Sequence, residues 1–210
     1  MQKELESLFF YTRNDYLIVN NLLLDNLANI EHLMQVVNQD YEWMIEEMKN
    51  DPAKRLGLEK SLAEEVYKWY QQRYQTKIDV DNTLSRAKED IKNLQKLCVP
   101  TSQKKVLYRN IKSTHLSDFE NKKVYNYPAF ASCLNKSTDV IYSYGPKDKY
   151  IELVINVPQE FPIIDLDKLP EFVTNEEGEV ILPPFSATIK SIKKSNQPKC
   201  VAVVELELKD

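Results

Sequence analysis

Three glycines in 210 residues constrain this chain more than any other feature: Gly57, Gly145 and Gly178. A backbone cradle for nucleotide phosphates needs glycines close together, because only a residue without Cβ lets the main chain close on the anion. Neither G-x-G-x-x-G nor G-x-x-x-x-G-K-[ST] can be built from glycines so far apart. The common dinucleotide-binding and P-loop architectures are therefore not expected. If this chain holds a nucleotide, it does so with side chains.

Other counts narrow the field further. Cys98, Cys133 and Cys200 are odd in number, widely spaced and never in a C-x-x-C pattern, so neither a disulfide framework nor a structural zinc site is expected. His32 and His115 are the only histidines, no H-E-x-x-H exists, and no metal is expected. Lys and Arg number 28 against 32 Asp and Glu, a net charge of −4 that argues against nucleic-acid binding through bulk charge. The 42% of hydrophobic residues is enough for a real core. The Leu-rich stretch from Leu17 to Ile30 is broken by Asn20, Asn21, Asp25, Asn26 and Asn29. It falls short of the roughly 20 apolar residues of a membrane span. Acidic residues precede the first apolar cluster, which makes a poor secretory signal. The expectation is a cytoplasmic protein, or one delivered without a cleaved leader.

Periodicity divides the chain in two. Over residues 1–98 apolar side chains recur at helical spacing: Ile30, Leu33, Val37, Tyr41, Met44, Ile45 and Met48; then Leu58, Leu62, Val66, Trp69 and Tyr70, with Arg73 on the same side; then Leu84, Ala87, Ile91, Leu94, Leu97 and Cys98. A further helix is expected over Arg13–Asn29. Asp51-Pro52 reads as a cap followed by proline at a first helical position, and Asp79, Asp81 and Asn82 are candidate caps for the last helix. After Pro100 the pattern changes to strands, expected at Lys105–Ile111, Tyr127–Leu134, Tyr150–Val157, Phe161–Leu166 (an edge strand), Glu179–Leu182, Ala187–Ile192 and Val201–Leu208. Short helices are expected at Ser113–Phe119 and Ser137–Tyr144. Helices first and strands second indicate an α+β fold, with a helical region over 1–98 and a β-rich core over 105–210.

Three places in the β-rich half can carry chemistry. Glu177-Gly178-Glu179 puts two carboxylates on one face of an entering strand, about 6–7 Å apart, with a glycine between them that admits unusual backbone angles. Arg109 lies in an otherwise apolar strand, where a guanidinium calls for a carboxylate or phosphate partner. Ser132 sits in Phe130-Ala131-Ser132-Cys133-Leu134, where a small hydroxyl can orient a neighbouring carboxylate. Taken singly, each has a plain structural reading: a solvated acidic turn, an ion pair on a half-exposed strand, a serine facing water.

Taken together and in order, they resemble the arginine–serine–glutamate signature of the mono-ADP-ribosyltransferases. Leu107-Tyr108-Arg109-Asn110 is similar to that family's Tyr-Arg-Gly strand, and Glu177 to Phe185 (EGEVILPPF) to its Glu-x-Glu segment. Tyr11-Thr12-x-x-x-Tyr16-x-x-x-Asn20 resembles a helical motif of bacterial ADP-ribosylating exoenzymes. The resemblance runs over roughly residues 9–206 and is densest over 106–190. Asn110 stands where the family has glycine, and Cys133 and Leu134 replace the last two residues of its Ser-Thr-Ser.

The resemblance implies a β-sandwich of two small, mostly antiparallel sheets behind the helices, with NAD as substrate. It implies that Glu179 stabilises positive charge on the ribose, Ser132 holds Glu179, and Glu177 serves the acceptor. Arg109 would grip the diphosphate, with Tyr108, Asn110 and Phe130 lining the NAD site. A Glu at position 177 implies an arginine acceptor on a protein, as in a bacterial toxin, effector or phage-type modifier. Two other readings stay open: the same fold as a non-enzymatic binding module, and a helical interaction protein with an unrelated β domain.

Overall fold

The computed structural model describes residues 2–76, 79–137, 149–173 and 178–209. Most of the helix expected at Ser137–Tyr144 lies outside the described residues, as does Glu177. By internal contact the chain divides into two units: residues 1–96 with 171–175, and residues 97–170 with 176–210.

The first unit is helical: α1 (Gln2–Phe10), α2 (Tyr16–Leu23), α3 (Ile30–Met48), α4 (Pro52–Leu56), α5 (Lys60–Thr76) and α6 (Val80–Leu97). A five-residue π-helical turn, Tyr11–Asp15, joins α1 to α2. Helix therefore begins well ahead of the expected Arg13 and ends at Leu23. The asparagines that follow favour turns over helix interiors. The caps are those the sequence offers. Asp51 Oδ1 accepts from the Lys54 amide at 3.0 Å, with Pro52 at the first position of α4. Asp79 Oδ1 accepts from the Asn82 amide at 2.8 Å.

Aromatic rings dominate this core. Phe9, Phe10, Tyr41, Trp69 and Tyr70 are buried and meet mostly edge to face, as ring quadrupoles prefer. Among them sits Arg73, with a fully buried side chain. Its Nη1 donates to Asp15 Oδ2 at 2.9 Å and to Asp90 Oδ2 at 2.6 Å, and its Nη2 donates to Asp90 Oδ1 at 3.2 Å. The guanidinium lies 4.3 Å from the Phe10 ring centroid, and the Tyr41 hydroxyl donates to Asp15 Oδ1 at 2.7 Å. Burial works against the charge, but Asp90 and Asp15 outweigh it and raise the guanidinium pKa above its ordinary value. Arg73 thus shares a helix face with Val66, Trp69 and Tyr70 because it is the ionic centre of that face.

Among the described residues the second unit holds nine strands: β1 (Val99–Pro100), β2 (Lys105–Lys112), β3 (Val124–Tyr127), β4 (Ala131–Leu134), β5 (Tyr150–Val157), β6 (Pro162–Asp165), β7 (Glu179–Leu182), β8 (Phe185–Lys194) and β9 (Cys200–Leu208). Their hydrogen-bonded order is β1-β6-β7-β4-β2-β5-β9-β8-β3, antiparallel throughout except for parallel β5 and β9. The β4–β2 step is made by a single residue pair, Tyr108 opposite Leu134. Four strands on one side and five on the other therefore behave as two small sheets sharing one narrow seam. Both feed one core: Ala131, Cys133, Val180 and Leu182 from the first, Leu107, Leu153, Ile155, Val204 and Leu206 from the second. This is the α+β arrangement expected from the sequence.

Two strands differ from expectation. The run Tyr127–Leu134 is not one strand: β3 ends at Tyr127 and β4 begins at Ala131, because Pro128 has no amide to donate to a ladder. β6 is not at the edge, since the two residues of β1 pair outside it. At the end of β6, Asp165 is bound by Lys105 at 2.8 Å and Lys168 at 3.4 Å.

Two outcomes follow from these ion pairs. Arg73→Met takes the buried guanidinium away from the Asp15 and Asp90 carboxylates, with Arg86 at 3.7 Å still beside Asp90, and should cost about 3–5 kcal/mol, read as a lower urea midpoint. In the second unit, burial alone would raise the Asp165 carboxyl, but Lys105 and Lys168 overcome it and hold the group below its usual value of 3.8. A depressed carboxyl adds stability above its unfolded value that is lost as pH falls through the folded one. Lys105→Met should therefore lower stability at neutral pH and flatten its decline below pH 3.8, measured by urea unfolding across an acid pH series.

Candidate active site

The register of β4 against β7 assembles the centre of the site. Leu134 pairs with Glu179, Cys133 with Val180, Ser132 with Ile181 and Ala131 with Leu182. Alternation along a strand sends Ala131, Cys133, Val180 and Leu182 into the core and leaves Ser132 and Glu179 together on the reverse face. Ser132 and Glu179 are diagonal neighbours in this ladder, a separation that a long side chain spans. The Ser132 hydroxyl donates to Glu179 Oε1 at 2.6 Å. Ser132 is exposed and Glu179 half-buried, so the pair faces open space while its backbone is fixed by the sheet.

Arg109 stands one residue beyond the seam. Tyr108 pairs with Leu134, which pairs in turn with Glu179, so β2, β4 and β7 line up on one row of residues next to the guanidinium-bearing position. The Arg109 side chain shares a face of β2 with Leu107 and is half-buried. Its Nη2 donates to the Tyr127 hydroxyl at 3.2 Å, and its guanidinium lies 5.1 Å from the Tyr127 ring centroid. The Cys133 thiol is within electrostatic reach of both charges. Burial pushes its pKa up to about 12, with Arg109 pulling it down and Glu179 pushing it further up.

The remaining candidates are more dispersed. Tyr108 and Asn110 project from the opposite face of β2 to Arg109, and Asn110 is paired with Glu152 of β5. Phe130 is fully buried just ahead of β4. Leu134 occupies the place of the family's last serine and lies directly across from Glu179. Phe172 is an anchor in the helical unit, 6.4 Å from both Phe9 and Trp69. In that unit the carbonyls of Phe172 and Val173 accept from Arg13 Nη2 at 3.3 Å and Thr12 Oγ1 at 2.9 Å. Tyr11 of the N-terminal motif is buried and accepts from Asn20 at 3.3 Å.

Tyr127 was not among the expected site residues. Its signal was faint: Tyr125 and Tyr127 alternate ahead of Pro128, as in a strand with an aromatic face. Among the described residues no group of three or more His, Cys, Asp or Glu side chains is placed to hold a metal ion, and no helix is long and apolar enough to cross a membrane.

The arrangement offers a carboxylate positioned by a hydroxyl on one face of the β4–β7 ladder, and on the neighbouring strand β2 a cation that the register places on the other face, with Leu107. The hydroxyl–carboxylate pair can stabilise positive charge developing on a sugar. At pH 8 the Cys133 thiol, with its raised pKa, should resist alkylation by iodoacetamide in the folded protein and react once urea is added; peptide mass mapping reads the difference.

No protein-family model and no curated protein matches the sequence. Solved structures do match. The catalytic domain of VsdC from Aeromonas hydrophila aligns over 99% of this chain and 100% of its own, at 14% identity and a TM-score of 0.57. Vis toxin, an ADP-ribosyltransferase from Vibrio splendidus, aligns over 100% of this chain and 74% of its own, at 12% identity and a TM-score of 0.51. C3stau2 from S. aureus, solved with NAD, aligns over 63% of this chain and 75% of its own, at 16% identity and a TM-score of 0.50. The chain has the α+β fold of the bacterial mono-ADP-ribosyltransferases, and the resemblance carried by its motifs is matched by a resemblance in three dimensions.

Proposed function

We propose that this chain is an NAD-dependent mono-ADP-ribosyltransferase that transfers ADP-ribose from NAD to an arginine of a protein, in the manner of a toxin, effector or phage-type modifier. The observation that carries the reading is the Ser132–Glu179 hydrogen bond at the head of β7, in a fold shared with such enzymes. The scarcity of glycine agrees with it, since a guanidinium can replace a glycine-rich phosphate loop.

In this reading Arg109 binds the NAD diphosphate, with Tyr127 steadying the guanidinium. Tyr108, Asn110 and Phe130 belong to the NAD-binding side of the site. The bond between nicotinamide N1 and ribose C1′ breaks, and its electron pair leaves with nicotinamide, which departs neutral. Positive charge builds on the ribose as an oxocarbenium-like species. Glu179 stabilises that charge and accepts a hydrogen bond from a ribose hydroxyl, while Ser132 keeps the carboxylate from turning away. An acceptor arginine is protonated, with a pKa above about 12. Glu177 orients it and takes one proton as the guanidinium nitrogen bonds to C1′. The products are ADP-ribosyl-arginine, nicotinamide and a proton.

Adenine-labelled NAD mixed with the protein and a cell lysate tests this. Label should transfer to protein, and mass spectrometry should place it on arginine. Glu179→Gln should lower both transfer and NAD hydrolysis on the order of 100-fold or more. Glu177→Gln should abolish transfer yet keep part of the hydrolysis, because the ribose carboxylate is intact. If both variants match wild type, these roles are wrong. NAD binding without transfer or hydrolysis by the wild type would instead favour a binding module.

A further inference from the structure

Gly178 precedes Glu179 directly, and its backbone is held from two directions. Its φ of +77° lies where side chains are disfavoured. Its amide donates to Asp167 Oδ1 at 2.8 Å. Its carbonyl accepts from the Asn135 amide at 3.0 Å. A Cβ placed on Gly178 would fall 2.4 Å from Asn135 Oδ1 and 2.7 Å from Asn135 Cγ and Nδ2, so the Asn135 side chain fills the room beside the glycine.

The two bonds act on the two peptide planes flanking Gly178. Asp167 holds the plane on its amino side, and Asn135 holds the one that joins it to Glu179. The second plane sets the direction in which the Glu179 side chain leaves the backbone. Both clamping residues are themselves fixed. Asn135 follows β4, whose last residue is paired with Glu179. Asp167 lies in the one-turn helix Leu166–Lys168, closed by the Leu169 amide donating to the Leu166 carbonyl at 3.0 Å. Just ahead of that turn, Asp165 is tied to Lys105 and Lys168. A bond from an amide to a carboxylate is also stronger than one to a neutral acceptor.

We infer that Asp167 and Asn135 are positioning residues for Glu179. They lock the Gly178 turn so that the carboxylate enters β7 already aimed at Ser132. The inference rests on the transferase reading for its catalytic consequence, but the clamp is a property of the fold. Asp167 acts through the Gly178 amide, without touching NAD. Its loss should therefore lower turnover while leaving NAD affinity alone.

The test is NAD hydrolysis by the full chain, with hydrogen exchange at the Gly178 amide measured on the same samples. Asp167→Ala should lower kcat about tenfold, since small misplacements of a reacting group cost that much or more. The KM for NAD should stay within a factor of about two. The Gly178 amide should lose its protection. Asp167→Asn keeps an acceptor oxygen and should restore both kcat and protection. Asn135→Ala, which opens the space beside the glycine, should lower kcat in the same way. If kcat and amide protection in Asp167→Ala equal those of wild type, the inference fails. It fails too if KM rises in step with falling kcat and Asp167→Asn rescues nothing, because that pattern marks general damage to the fold. A wild type that cleaves no NAD overturns the transferase reading and the catalytic half of this inference, while protection of the Gly178 amide still decides whether the clamp exists.

Discussion

The pairing of β4 with β7 is the constraint on which the candidate site depends. It runs in one register, with Leu134 opposite Glu179, and a slip of one residue would turn Glu179 into the core and Val180 out of it. That slip is opposed by the apolar residues on the other face: Ala131, Cys133, Val180 and Leu182 are all nearly inaccessible to solvent. The hydroxyl–carboxylate pair is thus aligned by hydrophobic burial on the far side of the same strands. Chemistry and packing use alternate residues of one short ladder, so the polar face inherits its geometry from the apolar one.

The helical unit solves a different problem. Its interior holds a guanidinium and two carboxylates, groups whose removal from water is costly unless each finds a partner. Arg73 meets Asp15 from the π-helical turn and Asp90 from α6, and so ties the N-terminal run of helix to the last one. Hydrophobic contact alone would tolerate sliding between such helices. A buried fork with fixed acceptors does not, because every displacement leaves a charge without its partner.

Much of this architecture was legible in the sequence. Tyr150–Val157 and Glu179–Leu182 alternate or run apolar between clear breaks, and both strands begin and end where the residues indicate. Asp51-Pro52 and Asp79 announce their helices through capping chemistry. Arg109, Ser132 and Glu179 were each expected on a strand, and each lies on one: β2, β4 and β7. Other features were not readable, for physical reasons. α1 offers no periodic stripe to read, since its buried residues Ser7, Leu8, Phe9 and Phe10 are consecutive. Arg73 falls on an apolar helix face, but its two aspartates are far away in sequence and are brought to it only by folding. The contacts of Tyr127 with Arg109 and of Asp167 with Gly178 are ones that no local periodicity encodes.

Asn135 and Gly178 also bear on how this fold varies among relatives. One residue's bulk fills the volume that the other lacks, so the two positions form a size-complementary pair across adjacent strand ends. Since the left-handed backbone already fixes glycine at 178, adjustment falls on position 135: a larger residue there has nowhere to go, and a smaller one leaves a void. Relatives that keep a carboxylate at the head of this strand and a left-handed glycine before it should therefore be narrowly restricted in what they place after the serine strand, and that position would vary in concert with its neighbour.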